Sequence, residues 1–245
     1  MSTTRHQLII EGSIVTKVTI EEGAEYNGAT YRREREEGAV QLDSWIESFL
    51  AARGEQIFTP SLAEGHILAR KSAGERQSLI IELPPAIRRV LERVDQSSSR
   101  ARLLAFPWVY LVARLVRGAV DTIKVFYRNS AAESVEAELS LPNLPNIYGR
   151  GEGYKLCTGY WSGCDSSWSL QRKADWLVQG FFDSPFNTDL IGEHWNTSRR
   201  LAGHPQTFAE WEKLSKTDPK FILGISWRSA DPRLTIQAVL DKGVA

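Results

Sequence analysis

Both thiols of the chain, two Pro-Asn pairs and a scatter of glycines fall in one stretch, LPNLPNIYGRGEGYKLCTGYWSGCDSSW, from Leu141 to Trp168. It holds Cys157 and Cys164, Pro142-Asn143 and Pro145-Asn146, and glycines at 149, 151, 153, 159 and 163. Long irregular connections between packed elements are uncommon unless they carry a function. This one offers a thiol, amide side chains and a permissive backbone. A thiol forms acyl intermediates, and an amide N–H can stabilise the oxyanion that acyl transfer creates. The combination points to acyl chemistry on Cys157. Cys164 is the reserve thiol, should the register of the loop differ, and Asn143 and Asn146 are the amides of the loop.

The elements around this stretch must hold it. Upstream, WVYLVARLV (108–116) and DTIKVFYR (121–128) are rich in Val, Ile, Tyr and Phe and turn through Arg117-Gly118, which predicts a strand pair. SVEAELS (134–140) alternates and extends it to a meander. Downstream, SWSLQRKADWLVQGFF reads as one amphipathic helix that ends before Pro185.

Nearer the N-terminus, 7–20 reads as two short strands turning at Gly12-Ser13, 21–38 as a charged loop, and 39–53 as a helix stopped by Gly54. Residues 65–83 read as a hairpin around Gly74. Ile87, Val90, Leu91 and Val94 stand at helical spacing, though a strand fits as well, and 95–100 reads as a turn or linker. In the tail, Pro205 and Thr207 open a short helix with Phe208, Trp211 and Leu214, and Asp231-Pro232 opens a final one. Trp195, Trp211 and Trp227 suggest that the tail packs on the core or docks a partner. His66, His194 and His204 show no partner pattern and read as surface or loop residues.

The 30 basic and 30 acidic residues of this 245-residue chain cancel, and RREREE at 32–37 is mixed in sign, so nucleic acid is not an expected partner. MSTTRHQLIIEGSIV lacks the apolar core of a signal peptide, and no apolar run is long enough to span a bilayer. The expectation is a cytoplasmic protein with two reduced thiols and no membrane association. Two cysteines with no neighbouring histidine do not make a zinc site, and no cofactor or metal is expected.

The order meander, Pro-Asn loop, cysteine, tryptophan, helix resembles that of ubiquitin-conjugating enzymes. LPNIY (144–148) is similar to their His-Pro-Asn-Ile, LCTG (156–159) to the cysteine segment, and SSWSLQRKADWLVQGFFDSPFNTDL (166–190) to the Trp-Ser helix and its acidic end. The likeness is greater to divergent bacterial members in which Cys-x-Gly replaces Cys-Leu-Asp. It covers roughly 106–190. Leu144 takes the place of the usual histidine, and GRGEGYK lengthens the loop.

The resemblance implies an α+β fold: a ubiquitin-conjugating-like core, an antiparallel β-meander with flanking helices, plus N- and C-terminal extensions. It divides the chain into an N-terminal extension (1–100) with strands and a helix, a core (101–195) and a C-terminal helical extension (196–245). It implies a transferase that carries a ubiquitin-like protein as a thioester on Cys157, with Asn146 as oxyanion donor and Asp183, Asp189 and Tyr148 as helpers. The implied partners are the ubiquitin-like protein, an activating-enzyme-like protein and a target protein amine. Two alternatives are a non-catalytic binding module of the same fold and a mobile-element structural or assembly protein.

Overall fold

The structure is a computed structural model that describes residues 3–11, 14–24, 30–41, 56–58, 66–95, 97–148, 154–158, 161, 163–186 and 191–244. The chain divides into two compact units, Met1–Glu55 and Gln56–Ala245.

The first unit contains a three-stranded antiparallel sheet, β1 (Thr3–Glu11), β2 (Ile14–Ala24) and β3 (Thr30–Gln41), in that order. The first two strands are as the sequence predicts. Of the charged loop expected at 21–38, residues 21–24 end β2 and 30–38 make most of β3, and the rest lies outside the described residues. The register sets Glu21 opposite Arg33 and Glu22 opposite Arg32, positions of opposite sign, which favours strand pairing where apolar alternation is missing. The helix expected at 39–53 begins inside β3, and the rest of it lies outside the described residues.

The second unit is mixed α and β, built on a large antiparallel sheet. Its strands are β4 (Gln56–Phe58), β5 (His66–Ala73), β6 (Arg76–Leu83), β9 (Trp108–Val116), β10 (Ala119–Arg128), β11 (Glu138–Leu141), β12 (Ile147–Tyr148), β13 (Lys155–Leu156) and β15 (Arg228–Thr235). The path runs β4-β5-β6-β9-β10-β13-β12, and β11 joins β10 to β15. The expected meander is present: β9 pairs antiparallel with β10, and β10 with β11. The β9–β10 turn is the two-residue Arg117-Gly118, both at positive φ (51° and 78°), the geometry that matches the twist of paired strands. Gly118 also lies close to the Ser166 carbonyl, and a Cβ there would come within 2.8 Å of that oxygen.

Between β6 and β9 the chain leaves the sheet as a hairpin, β7 (Ala86–Arg93) and β8 (Ser99–Phe106), which β14 (Pro185–Phe186) joins in parallel to β7. The helical spacing of IRRVLERV is therefore carried by a strand. In the segment read as a turn at 95–100, the Asp95 carboxylate accepts from the Ser97 and Ser98 N–H groups, and 99–100 already belong to β8.

Strand alternation sorts the sheet residues between two cores. Val109, Leu111, Ala113 and Leu115 of β9 join Ile123, Val125 and Tyr127 of β10 on one face. That face is covered by helices α1 (Leu170–Asp183) and α3 (Phe208–Thr217) and by the β7–β8 hairpin. Tyr110, Val112 and Phe126 face the other way, under α4 (Ile236–Val244). α2 (Ile191–Ser198) and a 3₁₀ turn (Pro219–Gly224) complete the unit. The short helix at Thr207 forms as expected, with the Thr207 hydroxyl accepting from Glu210 N–H at 3.1 Å. The final helix starts at Ile236 instead of Asp231-Pro232, because the preceding residues pair as β15 with β11.

The tail packs on the core. Trp211 is fully buried, and its indole N–H donates to the Ala105 carbonyl at 3.0 Å. Trp227 donates to Asn129 at 2.9 Å. His194 and His204, read from the sequence as surface or loop residues, are buried among these aromatics, 5.9 Å apart between ring centres.

Candidate active site

The thiol and the Pro-Asn turn meet at the edge of the large sheet. Ile147 pairs with Leu156 and Tyr148 with Lys155. One step beyond, the Cys157 N–H donates to the Asn146 carbonyl at 2.8 Å. Eleven residues of sequence separation thus close into a direct backbone contact. The ladder is fastened inward: Lys155 pairs with Lys124 of β10, and Leu144, Ile147 and Leu156 are buried in the core under α1. Tyr154, at φ 62°, takes the left-handed backbone that turns the chain into β13, an uncommon state for a bulky residue.

Neither Cys157 nor Cys164 is joined in a disulfide, and each is partly exposed. Burial pushes the Cys164 thiol up, a shift that Lys173 only partly offsets, so it is held away from the nucleophilic thiolate form. The Asn146 side chain is buried, and its Nδ2 donates to the Pro185 carbonyl at 3.0 Å, immediately beyond α1. The amide therefore ties the Pro-Asn turn to the end of the helix in this state. Asn143 is also buried and donates to the Ser198 hydroxyl at 2.8 Å on α2. Asp183 is exposed, the last residue of α1, directly before Ser184 and Pro185. Tyr148 sits opposite Lys155 by register; its side chain and all of Asp189 lie outside the described residues.

The sequence marks Trp161 and Trp168 as packing residues that pin the loop after Cys157, and the structure supplies the partners that it does not show. Trp161 lies flat over Gly180 of α1, meets Trp176 edge-on at 5.2 Å and donates its indole N–H to Ser184. Lys173, buried on the same helix, donates to the carbonyls of Ser166 and Trp168 at 2.9 and 2.7 Å. Ser169 caps α1 by accepting from Arg172 N–H. The signal for this clasp was the glycine inside an otherwise good helix, which usually marks a close approach.

Gly180→Ala tests the clasp through the sign of its effect. Helix propensity alone favours alanine by about 1 kcal/mol. A Cβ at 180 would come within 2.7 Å of the Trp161 ring, so the variant is expected to lose roughly 1–3 kcal/mol in urea unfolding instead.

Among the described residues no group of three His, Cys, Asp or Glu is arranged to hold a metal ion, and no helix is long and apolar enough to cross a membrane. No family model, curated protein or solved structure matches this chain. The reading of the site therefore rests on its own geometry and chemistry.

Proposed function

We propose that this chain is a ubiquitin-conjugating-like acyl carrier that holds the C-terminus of a ubiquitin-like protein as a thioester on Cys157 and passes it to an amine. The observation that carries the reading is the 2.8 Å contact between Cys157 N–H and the Asn146 carbonyl, formed where an antiparallel meander ends and before the α1 helix begins.

The Cys157 sulfur, as thiolate, attacks the carbonyl carbon of a thioester presented by an activating-enzyme-like protein. The donor's C–S bond breaks and its sulfur leaves as thiolate. An acceptor amine then attacks the same carbon, Cys157 leaves as thiolate, and the nitrogen's surplus proton passes to a base. Asp183 is the carboxylate proposed to orient the amine. Each attack places negative charge on the carbonyl oxygen, where a fixed donor is worth about 3 kcal/mol. Asn146 would supply it by exchanging the Pro185 carbonyl for the oxyanion.

The test is intact-mass spectrometry after co-expression with the genes beside its own. A thiol-labile adduct is expected on the wild type and absent from Cys157→Ala. Asn146→Ala is expected to charge but to release its acyl group to amines about a hundredfold more slowly. An absent adduct, with the activating protein shown to be active, would leave the non-catalytic binding module as the better account.

A further inference from the structure

β8 is the edge strand of the small sheet β14-β7-β8, and that edge is covered at one end only. Ala105 gives its N–H to Ser215 and its carbonyl to the Trp211 indole, and the Leu103 N–H meets Glu212 at 3.4 Å. In an antiparallel pair every second residue turns its backbone groups outward. The Leu103 carbonyl, both groups of Ala101 and the Ser99 N–H therefore face away from β7. None of these has a protein partner among the described residues. Such a row is a template for another strand.

The side chains beside the open stretch say what kind of strand. Alternation places Ala101 and Leu103 on one face with Ile87 and Arg89 of β7. Leu103 and Ile87 are 45% and 44% exposed, and Val94 near the hairpin tip is 51% exposed. Single exposed apolar residues mean little, but three on one hairpin, beside a free edge, offer a surface that another chain can bury. Arg100 stands on the opposite face. The carboxylates around it are engaged. Glu92 and Glu212 both hold Arg102, at 2.7 and 3.0 Å, and Asp95 closes the hairpin turn through Ser97 and Ser98. Arg89 and Arg100 are exposed and form no ion pair among the described residues.

We propose that β8 takes up an extended acidic segment of a partner protein as an added antiparallel strand along 99–103. Backbone groups that alternate donor and acceptor are met by a second backbone, which a polyanion such as nucleic acid does not offer. Residues of the segment opposite Leu103 and Ala101 are apolar and cover that face, and a carboxylate opposite Arg100 meets its guanidinium. The segment is short, because α3 occupies the edge from Ala105 onward. A second copy of this chain would bring its own Arg89 and Arg100 to the seam and add like charge, so the occupant is a different chain. The site does not rest on the proposed role of Cys157.

The test is titration of the full, nitrogen-15-labelled chain with the blocked peptide Val-Thr-Val-Glu-Thr, read by amide NMR shifts. Saturation with a Kd below about 1 mM is expected, with the largest shifts at 99–103. N-methylation of the central valine, whose amide faces the edge, is expected to abolish binding. N-methylation of the threonine before it, whose amide faces away, is expected to leave binding intact. Arg100→Glu is expected to weaken the peptide about fivefold and to favour the version with Lys in place of Glu. Ala101→Pro is expected to abolish binding at an unchanged melting temperature, since the N–H it removes faces outward. If that variant unfolds, the charge exchange at Arg100 decides. Cys157→Ala is expected to bind as the wild type does, so failure here and failure at the thiol are separable. No shift up to about 5 mM overturns the proposal. So does binding indifferent to the central N-methyl group or to Arg100→Glu, or a dimer of the chain itself that Ala101→Pro dissolves.

Discussion

Trp211→Ala is expected to cost the second unit about 3–5 kcal/mol, the range for removing a large aromatic from a packed core. The indole is fully buried and makes more than apolar contact. Its ring centre lies 5.7 Å from Phe106, 5.4 Å from His204 and 6.4 Å from His194. Its N–H satisfies the Ala105 carbonyl on β8. The Ala105 N–H donates to the Ser215 hydroxyl at 2.8 Å, and that hydroxyl donates back to the Trp211 carbonyl at 2.7 Å. One helix thus pairs both polar groups of an edge-strand residue, and so protects an edge that would otherwise be open to another chain. Urea unfolding should therefore rank three proteins. Wild type is most stable, Trp211→Phe loses about 1–3 kcal/mol for the orphaned carbonyl, and Trp211→Ala loses most. A Trp211→Phe variant as stable as wild type would mean that the hydrogen bond contributes nothing.

The second large effect is acid instability set by the buried histidines. Burial, with a smaller contribution from His204, pushes His194 down to about 3. Burial also lowers His204, against the opposing pull of the Pro205 carbonyl and Glu210. Neither His194 nitrogen has a hydrogen-bond partner among the described residues. The folded chain therefore binds fewer protons than the unfolded one once the pH falls below the ordinary histidine value of about 6.5. Stability from the neutral His194 ring is fully present above about pH 6.5 and declines toward pH 3 at about 1.4 kcal/mol per pH unit, and the lowered His204 acts in the same direction. By pH 5, His194 alone accounts for roughly 2 kcal/mol. His194→Phe keeps a flat ring against Trp195, Phe208 and Trp211 and removes the proton site. Urea unfolding at about pH 7.5 and pH 5 should show the variant losing roughly 2 kcal/mol less than wild type across that interval. Parallel losses would show that the ring does not titrate as its surroundings imply.

How much of this was readable in the residues depended on which force shaped each element. The β9–β10 hairpin was clear because Val, Ile and aromatic alternation coincides with an Arg-Gly turn. Helix α1 was clear because Ser169, the apolar spacing and Pro185 mark its start, face and end. Strand β3 was hidden because charged residues of both signs, not alternating apolar ones, fill its middle. β7 was ambiguous because Ile87, Val90, Leu91 and Val94 suit a helix, and only pairing with β8 and β14 decides for a strand. In the site, the resemblance pairs Asn146 with Cys157 through the amide side chain, and the backbone contact that joins them was not anticipated. Trp161 was read as a residue that pins the loop, but its seat on Gly180 was not foreseen, because it depends on a tertiary approach. The grouping of Lys124, Lys155 and Lys242 under α4 was beyond reach for the same reason: they are far apart in sequence and meet only through strand register and the seating of that helix.

The β7–β8 hairpin leaves the large sheet after Leu83 and returns at Trp108, and Leu83 stands paired with Val109 across the seam it leaves. Entry and exit are neighbours, so the hairpin is topologically an insertion into an otherwise plain meander, β5-β6-β9-β10. Excising it in thought would leave the strand order and register of that meander unchanged. The insertion has nonetheless been drawn into the architecture. β14, which follows α1, pairs with β7, and α3 covers β8 through Ala105. Arg102 of β8 holds Glu92 at 2.7 Å and Glu212 of α3 at 3.0 Å. A segment dispensable to the sheet's connectivity has become the bracket that fastens the helix bearing the Trp161 clasp to the tail.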